Sequence, residues 1–182
     1  MESNPHILIK KWNELSQEEL NQMNESHMRE WKTSSMTQAH HDRNIFFLLK
    51  NEGDKILAQG QLVPIDGINF NGEIFNILGI GGIIADIKKQ GHGKKVMLAI
   101  KDYLIKQNKS GVGFIGLPDF YRKCGFSVNK EAIKRFAYIA GNQKIVNTES
   151  DYICYLDAND RFMEKVIQNP EEFVYLPRNP DW

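Results

Sequence analysis

Across 182 residues, 23 lysines and arginines are matched by 23 aspartates and glutamates, so no global field draws the chain onto nucleic acid or an acidic surface. A hydrophobic share of 41 % in that length supplies one substantial core, and a single domain over residues 1–182 is expected. No run approaches the ~18 consecutive apolar residues of a membrane span, MESNPHILIKKW lacks a signal-peptide core, and Cys124, Cys154 and the five histidines show no metal-ligand spacing. These features predict a soluble, cytoplasmic protein with reduced thiols, no metal, no nucleic-acid partner and no membrane partner.

In chain order, Pro5 to Lys10 (PHILIK) reads as a first edge strand. Ser16 with Glu18 and Glu19 is a helix start ahead of Leu20, Met23, Met28 and Trp31, and Leu20, Met23 and His27 share one face. Glu14 to His41 is then one or two helices broken near Thr33 to Ser35. Ile45 to Lys50 and Lys55 to Ile65 are β-type runs on either side of Asn51-Glu52-Gly53-Asp54, a hairpin signal, while Asp66-Gly67 and Asn71-Gly72 mark further turns. Strands two to four form a meander.

Ile74 to Ile87 is rich in β-branched residues, as an interior strand requires. Beyond it Gln90-Gly91-His92-Gly93 makes a tight connection, and the spacing of Val96, Met97, Ile100 and Leu104 predicts a helix with one apolar face. Such a helix start presents unpaired N–H groups and the positive end of the dipole, and glycines admit a ligand close to the backbone. Lys88, Lys89, Lys94, Lys95, Lys101, Lys106 and Lys109 face only Asp102 within Ile87 to Lys109, so a phosphate or pyrophosphate suits the turn. The missing Gly-x-Gly-x-x-Gly and Gly-Lys-Ser/Thr patterns disfavour a dinucleotide fold or a P-loop. The same residues suit equally a surface helix whose lysines face water. Val112 to Ile115 follows as a short buried strand, parallel to the fourth by its strand-helix-strand linkage. Pro118 to Cys124 is a short helix stopped by Gly125, in which Tyr121 reads unaided as a core aromatic. Ile133 to Ala140, Lys144 to Val146 and Tyr152 to Leu156 are strand candidates, separated at first by a Gly141-Asn142 turn, and Arg161 to Gln168 is a helix candidate.

Gln90-Gly91-His92-Gly93-Lys94-Lys95 resembles the Arg/Gln-x-x-Gly-x-Gly/Ala pyrophosphate loop of the GCN5-related N-acetyltransferase (GNAT) superfamily, with Lys95 where the family has a small residue. Pro118 to Phe126 resembles the family's second signature, Tyr-Tyr/Phe-Tyr-x-x-x-Gly-Phe. The resemblance implies an α/β fold with a mixed, mostly antiparallel six- or seven-stranded sheet flanked by helices and splayed between its fourth and fifth strands. It implies that Ile83, Ile84 and Ala85 pair with the pantetheine arm of acetyl-CoA, that the backbone of Gln90, Gly91, His92, Gly93, Lys94 and Lys95 holds the pyrophosphate, that the Ile84 N–H polarises the thioester carbonyl, and that Tyr121 is the general acid. The family's usual strand-four glutamate falls here near Gly81, leaving Asp86 or Glu73 as base candidates. Met28, Trp31 and the His40-His41 pair fall in the helices that wall the family's acceptor cleft, and Asp181 and Trp182 resemble the trailing end of the aminoglycoside 2'-N-acetyltransferase type. The implied activity is direct acetyl transfer from acetyl-CoA to the primary amine of a small molecule, by a monomer or homodimer. The alternatives are a CoA-binding module without chemistry, a protein or peptide N-acetyltransferase, and an RNA- or protein-binding domain using the basic helix.

Overall fold

A computed structural model describes residues 5–32, 36–140, 143–146 and 150–177. In chain order these form β1 (His6–Lys11), α1 (Gln17–Trp31), α2 (Gln38–His41), β2 (Ile45–Lys50), β3 (Ile56–Phe70), β4 (Glu73–Ala85), α3 (His92–Gln107), β5 (Gly111–Ile115), α4 (Pro118–Lys123), β6 (Ser127–Asn129), β7 (Phe136–Ala140), β8 (Gln143–Val146), β9 (Tyr152–Leu156), α5 (Phe162–Gln168) and β10 (Val174–Leu176). Seven strands make one mixed sheet in the order β1-β2-β3-β4-β5-β9-β6, and β10-β7-β8 make a second. The pairs β1–β2, β2–β3, β5–β9 and β6–β9 are antiparallel. β4 and β5 are parallel and pair only at Leu78–Gly111 and Gly79–Val112, so the backbone of Gly81 to Ala85 lies outside their ladder.

By its contacts the chain divides into two compact units, one made of Met1–Val63 and Gly81–Ile100, the other of Pro64–Ile80 and Lys101–Trp182. In the first, Met23 of α1 and Met36 pack on Phe46, Leu48 and Ile56, with Leu8, Trp12 and Leu15 at the margin. Ser16 caps α1 by accepting from the Glu19 N–H at 3.1 Å, and Glu19 accepts from the Ser16 N–H at 2.8 Å in return. The Glu19 carboxylate is buried yet receives Lys10 Nζ at 2.8 Å and Lys50 Nζ at 3.3 Å. Burial opposes its charge, but those partners and the Ser16 N–H prevail and hold it below the ordinary value. In the second unit Phe136 and Phe162 anchor a core with Phe75, Ile77, Val112 and Val174.

The Asn51 hairpin forms as expected, with Asn51 Oδ1 accepting from the N–H groups of Gly53 at 3.1 Å and Lys55 at 2.9 Å. Asp66-Gly67 does not end a strand. β3 runs through it for 15 residues, and the glycine's φ of +74° makes a local kink whose N–H is satisfied by Asn76 Oδ1 at 2.8 Å. Ile133 to Arg135 belong to a 3-10 turn, so the strand predicted there is shortened to β7 and belongs to the smaller sheet. The seventh strand of the main sheet is instead β6, three residues directly after α4. The Gly141-Asn142 turn and the helix break at Thr33 to Ser35 lie outside the described residues.

Candidate functional site

In the first unit, β4 kinks at Gly82, where φ is +63° and a Cβ would meet Gln61 Cγ at 3.2 Å. Any side chain there would be strained in conformation and crowded by Gln61, so glycine is favoured at this position, beyond the last β4–β5 pair at Gly79–Val112. Past the kink, the Ile83 side chain occupies the space beside Gly60, which also faces Val96 and Ile100 of α3. Ile84 is buried, and the strand is again fixed where the Asp86 N–H donates to Leu57 O at 2.9 Å.

The chain then turns through Lys89 and Gly91, with φ of +68° and +78°, and enters α3. Lys95 N donates to Gly91 O at 3.1 Å, so the N–H groups of His92, Gly93 and Lys94 precede the first bond of the helix and face outward along its axis. A Cβ on Gly91 would meet nothing within 4 Å, which leaves room for a bulky anion against the backbone. Lys94 and Lys95 are exposed, whereas Lys88 is paired with Glu30 at 2.6 Å. His92 Nδ1 is buried without a hydrogen-bond partner among the described residues. The helix is anchored by the fully buried Val96, Met97, Ile100 and Leu104 on its predicted apolar face. An electropositive, glycine-opened helix start of this kind fits a pyrophosphate.

The two acids closest in sequence to β4 are both engaged. Asp86 holds Arg29 at 2.9 Å and Lys55 at 2.8 Å, and Lys55 above all keeps its carboxyl below the usual range. Glu73 is exposed at the opposite end of β4 and accepts from Lys165 at 2.5 Å. The pairing of Asp86 weakens that carboxylate as a proton acceptor.

Met28 and Trp31 are 52 % and 45 % exposed on α1, and Trp31 meets His27 edge-on at 5.0 Å. His40 is exposed on α2, while His41 stacks on Trp12 at 5.9 Å and its Nδ1 lies 2.8 Å from Thr37 O. Asp181 and Trp182 lie outside the described residues. Burial lowers the His27 imidazole to about 4, with a smaller push from His41. Because the unfolded chain then binds a proton better, stability should fall as pH drops from the ordinary histidine value near 6.5 to about 4. His27→Gln is expected to remove roughly 2 kcal/mol of that loss. Chemical denaturation at both ends of the window checks this, and an equally steep limb in both proteins would overturn it.

In the second unit, Pro118 opens α4 and Gly125, with φ of +81°, ends it. Tyr121 is half-buried, meets Phe120 edge-on at 5.1 Å, and its carbonyl accepts from the N–H groups of Cys124 at 3.0 Å and Phe126 at 3.1 Å. Its hydroxyl has no hydrogen bond among the described residues. Burial first, then Cys154 and Cys124, raise the phenol above its ordinary value, so it is protonated at neutral pH. Cys154 is itself pushed up to about 12 by burial.

Sequence reasoning passed over the polar side chains beneath α1. Gln59 and Gln61 are 2 % and 5 % exposed on β3, and Asn44, 3 % exposed, donates to Gln61 Oε1 at 3.0 Å. The alternation Ala58-Gln59-Gly60-Gln61-Leu62 reads as a half-solvated strand, and only the packing shows that both glutamines are buried. Neither amide atom of Gln59 has a partner among the described residues, a deficit of about 1–3 kcal/mol.

No protein-family model matches the chain, and no curated protein does. Solved structures do match. YhbS, a GNAT family N-acetyltransferase from Escherichia coli crystallised in complex with CoA, is 14 % identical, with a TM-score of 0.64 over 96 % of this chain and 91 % of its own. An acyl-CoA N-acyltransferase from Pseudomonas aeruginosa is 16 % identical, with a TM-score of 0.55 over 85 % of this chain and 100 % of its own. Escherichia coli ElaA is 15 % identical, with a TM-score of 0.55 over 83 % and 99 %. The mixed sheet, the short parallel β4–β5 pair and the flanking helices thus give this chain the GNAT, or acyl-CoA N-acyltransferase, fold.

Proposed function

We propose that the chain is an acetyl-CoA-dependent N-acetyltransferase that acetylates a primary amine of a small molecule by direct transfer. The observation that carries this reading is the continuous element from Gly82 to Lys95, where a kinked strand end outside the β4–β5 ladder leads into an open helix start, in the fold of a CoA-bound neighbour. Ile83, Ile84 and Ala85 bind the pantetheine arm, and Gln90 to Lys95 bind the pyrophosphate through their backbone, with charge added by Lys94 and Lys95. The neutral amine attacks the thioester carbonyl carbon, the Ile84 N–H stabilises the developing oxyanion, and the carbon–sulfur bond breaks. Tyr121 gives its proton to the departing thiolate, the amine gives up a proton to solvent, and solvent returns one to the Tyr121 phenolate.

With Asp86 and Glu73 both held by cations, neither is assigned as the base. The same pairings favour a second reading, a CoA-binding module without chemistry. A panel of amines with acetyl-CoA, followed by release of free thiol, decides between them. Turnover with at least one amine is expected, and firm CoA binding without thiol release from any amine would establish the second reading.

A further inference from the structure

The unpartnered amide of Gln59 belongs to a polar row in an otherwise apolar face of the first unit. Register sets Gln59 opposite Leu48 and Gln61 opposite Phe46, and Leu48 and Phe46 pack with Met23 of α1, so these side chains share the face that α1 covers. Gly60 points the other way, toward α3. Gln61 is secured by Asn44 and lies against Gly82, next to the strand end assigned to the pantetheine arm. Gln59 is not secured, since its Oε1 and Nε2 both lack a partner among the described residues although it is only 2 % exposed.

We infer that Gln59 is a specificity-determining residue that hydrogen-bonds the carboxamide of an α-amino amide acceptor, such as an amino-acid amide or the amino end of a short peptide. This rests on the acetyl-transfer reading above. A carboxylate, offering only acceptors, satisfies Nε2 and leaves Oε1 bare, and an ammonium does the reverse. A carboxamide offers one donor and one acceptor side by side and satisfies both. Phe46 and Leu48 make a charge on this face costly, which also selects a neutral group.

A second observation points to the same acceptor class. Asp86, the acid just past the β4 strand end, is tied to Arg29 and Lys55, so the site favours an amine that needs no strong base. An α-amino group, with a pKa of about 7.7–8.0, is partly neutral at physiological pH, whereas a lysine-like amine near 10.4 is almost wholly charged. Because Gln59 is covered, the side chains over it must part to admit the carboxamide.

The test compares glycinamide with glycine methyl ester, two probes of similar amine basicity of which only the first has the N–H donor. Wild type is expected to favour glycinamide by at least about tenfold in kcat/KM, and Gln59→Met to bring that ratio to about one. Independently of turnover, the Gln59 side-chain NH2 resonances of the wild-type protein should shift saturably with glycinamide. Saturable shifts without thiol release would sustain the binding role of Gln59 and overturn acetyl transfer instead. Unmoved Gln59 resonances at saturating glycinamide, or a preference undiminished in folded Gln59→Met, would overturn the inference and leave the amide to a buried water.

Discussion

Gly93→Val is expected to abolish acetyl-CoA binding in calorimetry while leaving the melting temperature at or slightly above that of the wild type. The two effects separate because of where the residue sits. Gly93 is the second residue of α3, within its first turn, and valine has a somewhat higher helix propensity than glycine, so helix formation is not penalised. In the binding reading, however, a branched side chain stands between the phosphates and the N–H groups of His92, Gly93 and Lys94. Hydrogen bonds to a charged group are worth about 1.5–3 kcal/mol each, so losing two costs roughly 3–6 kcal/mol, on the order of a hundred- to ten-thousandfold in affinity. Gly91 makes a poorer test, because its φ of +78° strains any replacement and mixes folding with binding. Wild-type affinity should weaken with added salt, since Lys94 and Lys95 are exposed. Folded Gly93→Val with wild-type affinity would remove the helix start from the coenzyme site.

The elements that sequence made legible are those whose signal is local. The α3 stripe of Val96, Met97, Ile100 and Leu104 repeats at helical spacing and is buried as that spacing requires, and Ser16 with Glu19 forms the reciprocal cap that its spacing promises. Asp66-Gly67 misled because a turn dipeptide and a strand kink ask the same of glycine, a positive φ; the distinction depends on Asn76 on the neighbouring strand, which supplies the missing hydrogen bond. The same holds for the site. The glycine-opened helix start was visible as Gly91-His92-Gly93 after an apolar run, whereas Gly82 is one of several glycines in Gly79-Ile80-Gly81-Gly82 and only its φ singles it out. The engagement of Asp86 by Arg29 and Lys55 spans long separations in sequence and leaves no periodic trace. The burial of Gln59 and Gln61 is likewise a property of what α1 covers, which an alternating strand pattern cannot report.

Tyr121→Phe is expected to keep coenzyme affinity and melting temperature while losing about tenfold to a thousandfold in turnover, the usual contribution of a positioned acid. The substitution keeps the ring and its edge contact with Phe120 and removes only the hydroxyl, which has no hydrogen bond among the described residues, so a structural penalty is not expected. The raised phenol has a chemical consequence. An ordinary phenol near 10 is already a weaker acid than an alkyl thiol near 8.5, and burial widens that gap, so proton transfer to sulfur is uphill until the carbon–sulfur bond is well broken. Transfer is therefore late, concerted with thiolate departure, and should show a solvent isotope effect on the chemical step that Tyr121→Phe loses. It also follows that deprotonation of Tyr121 cannot produce an alkaline fall in rate within the working range, so the wild-type profile should rise as the amine becomes neutral and then level off. Single-turnover rates against pH, with a burst experiment to separate product release, measure both points. Unchanged single-turnover chemistry in Tyr121→Phe would take the tyrosine out of the mechanism and leave solvent to protonate the thiolate.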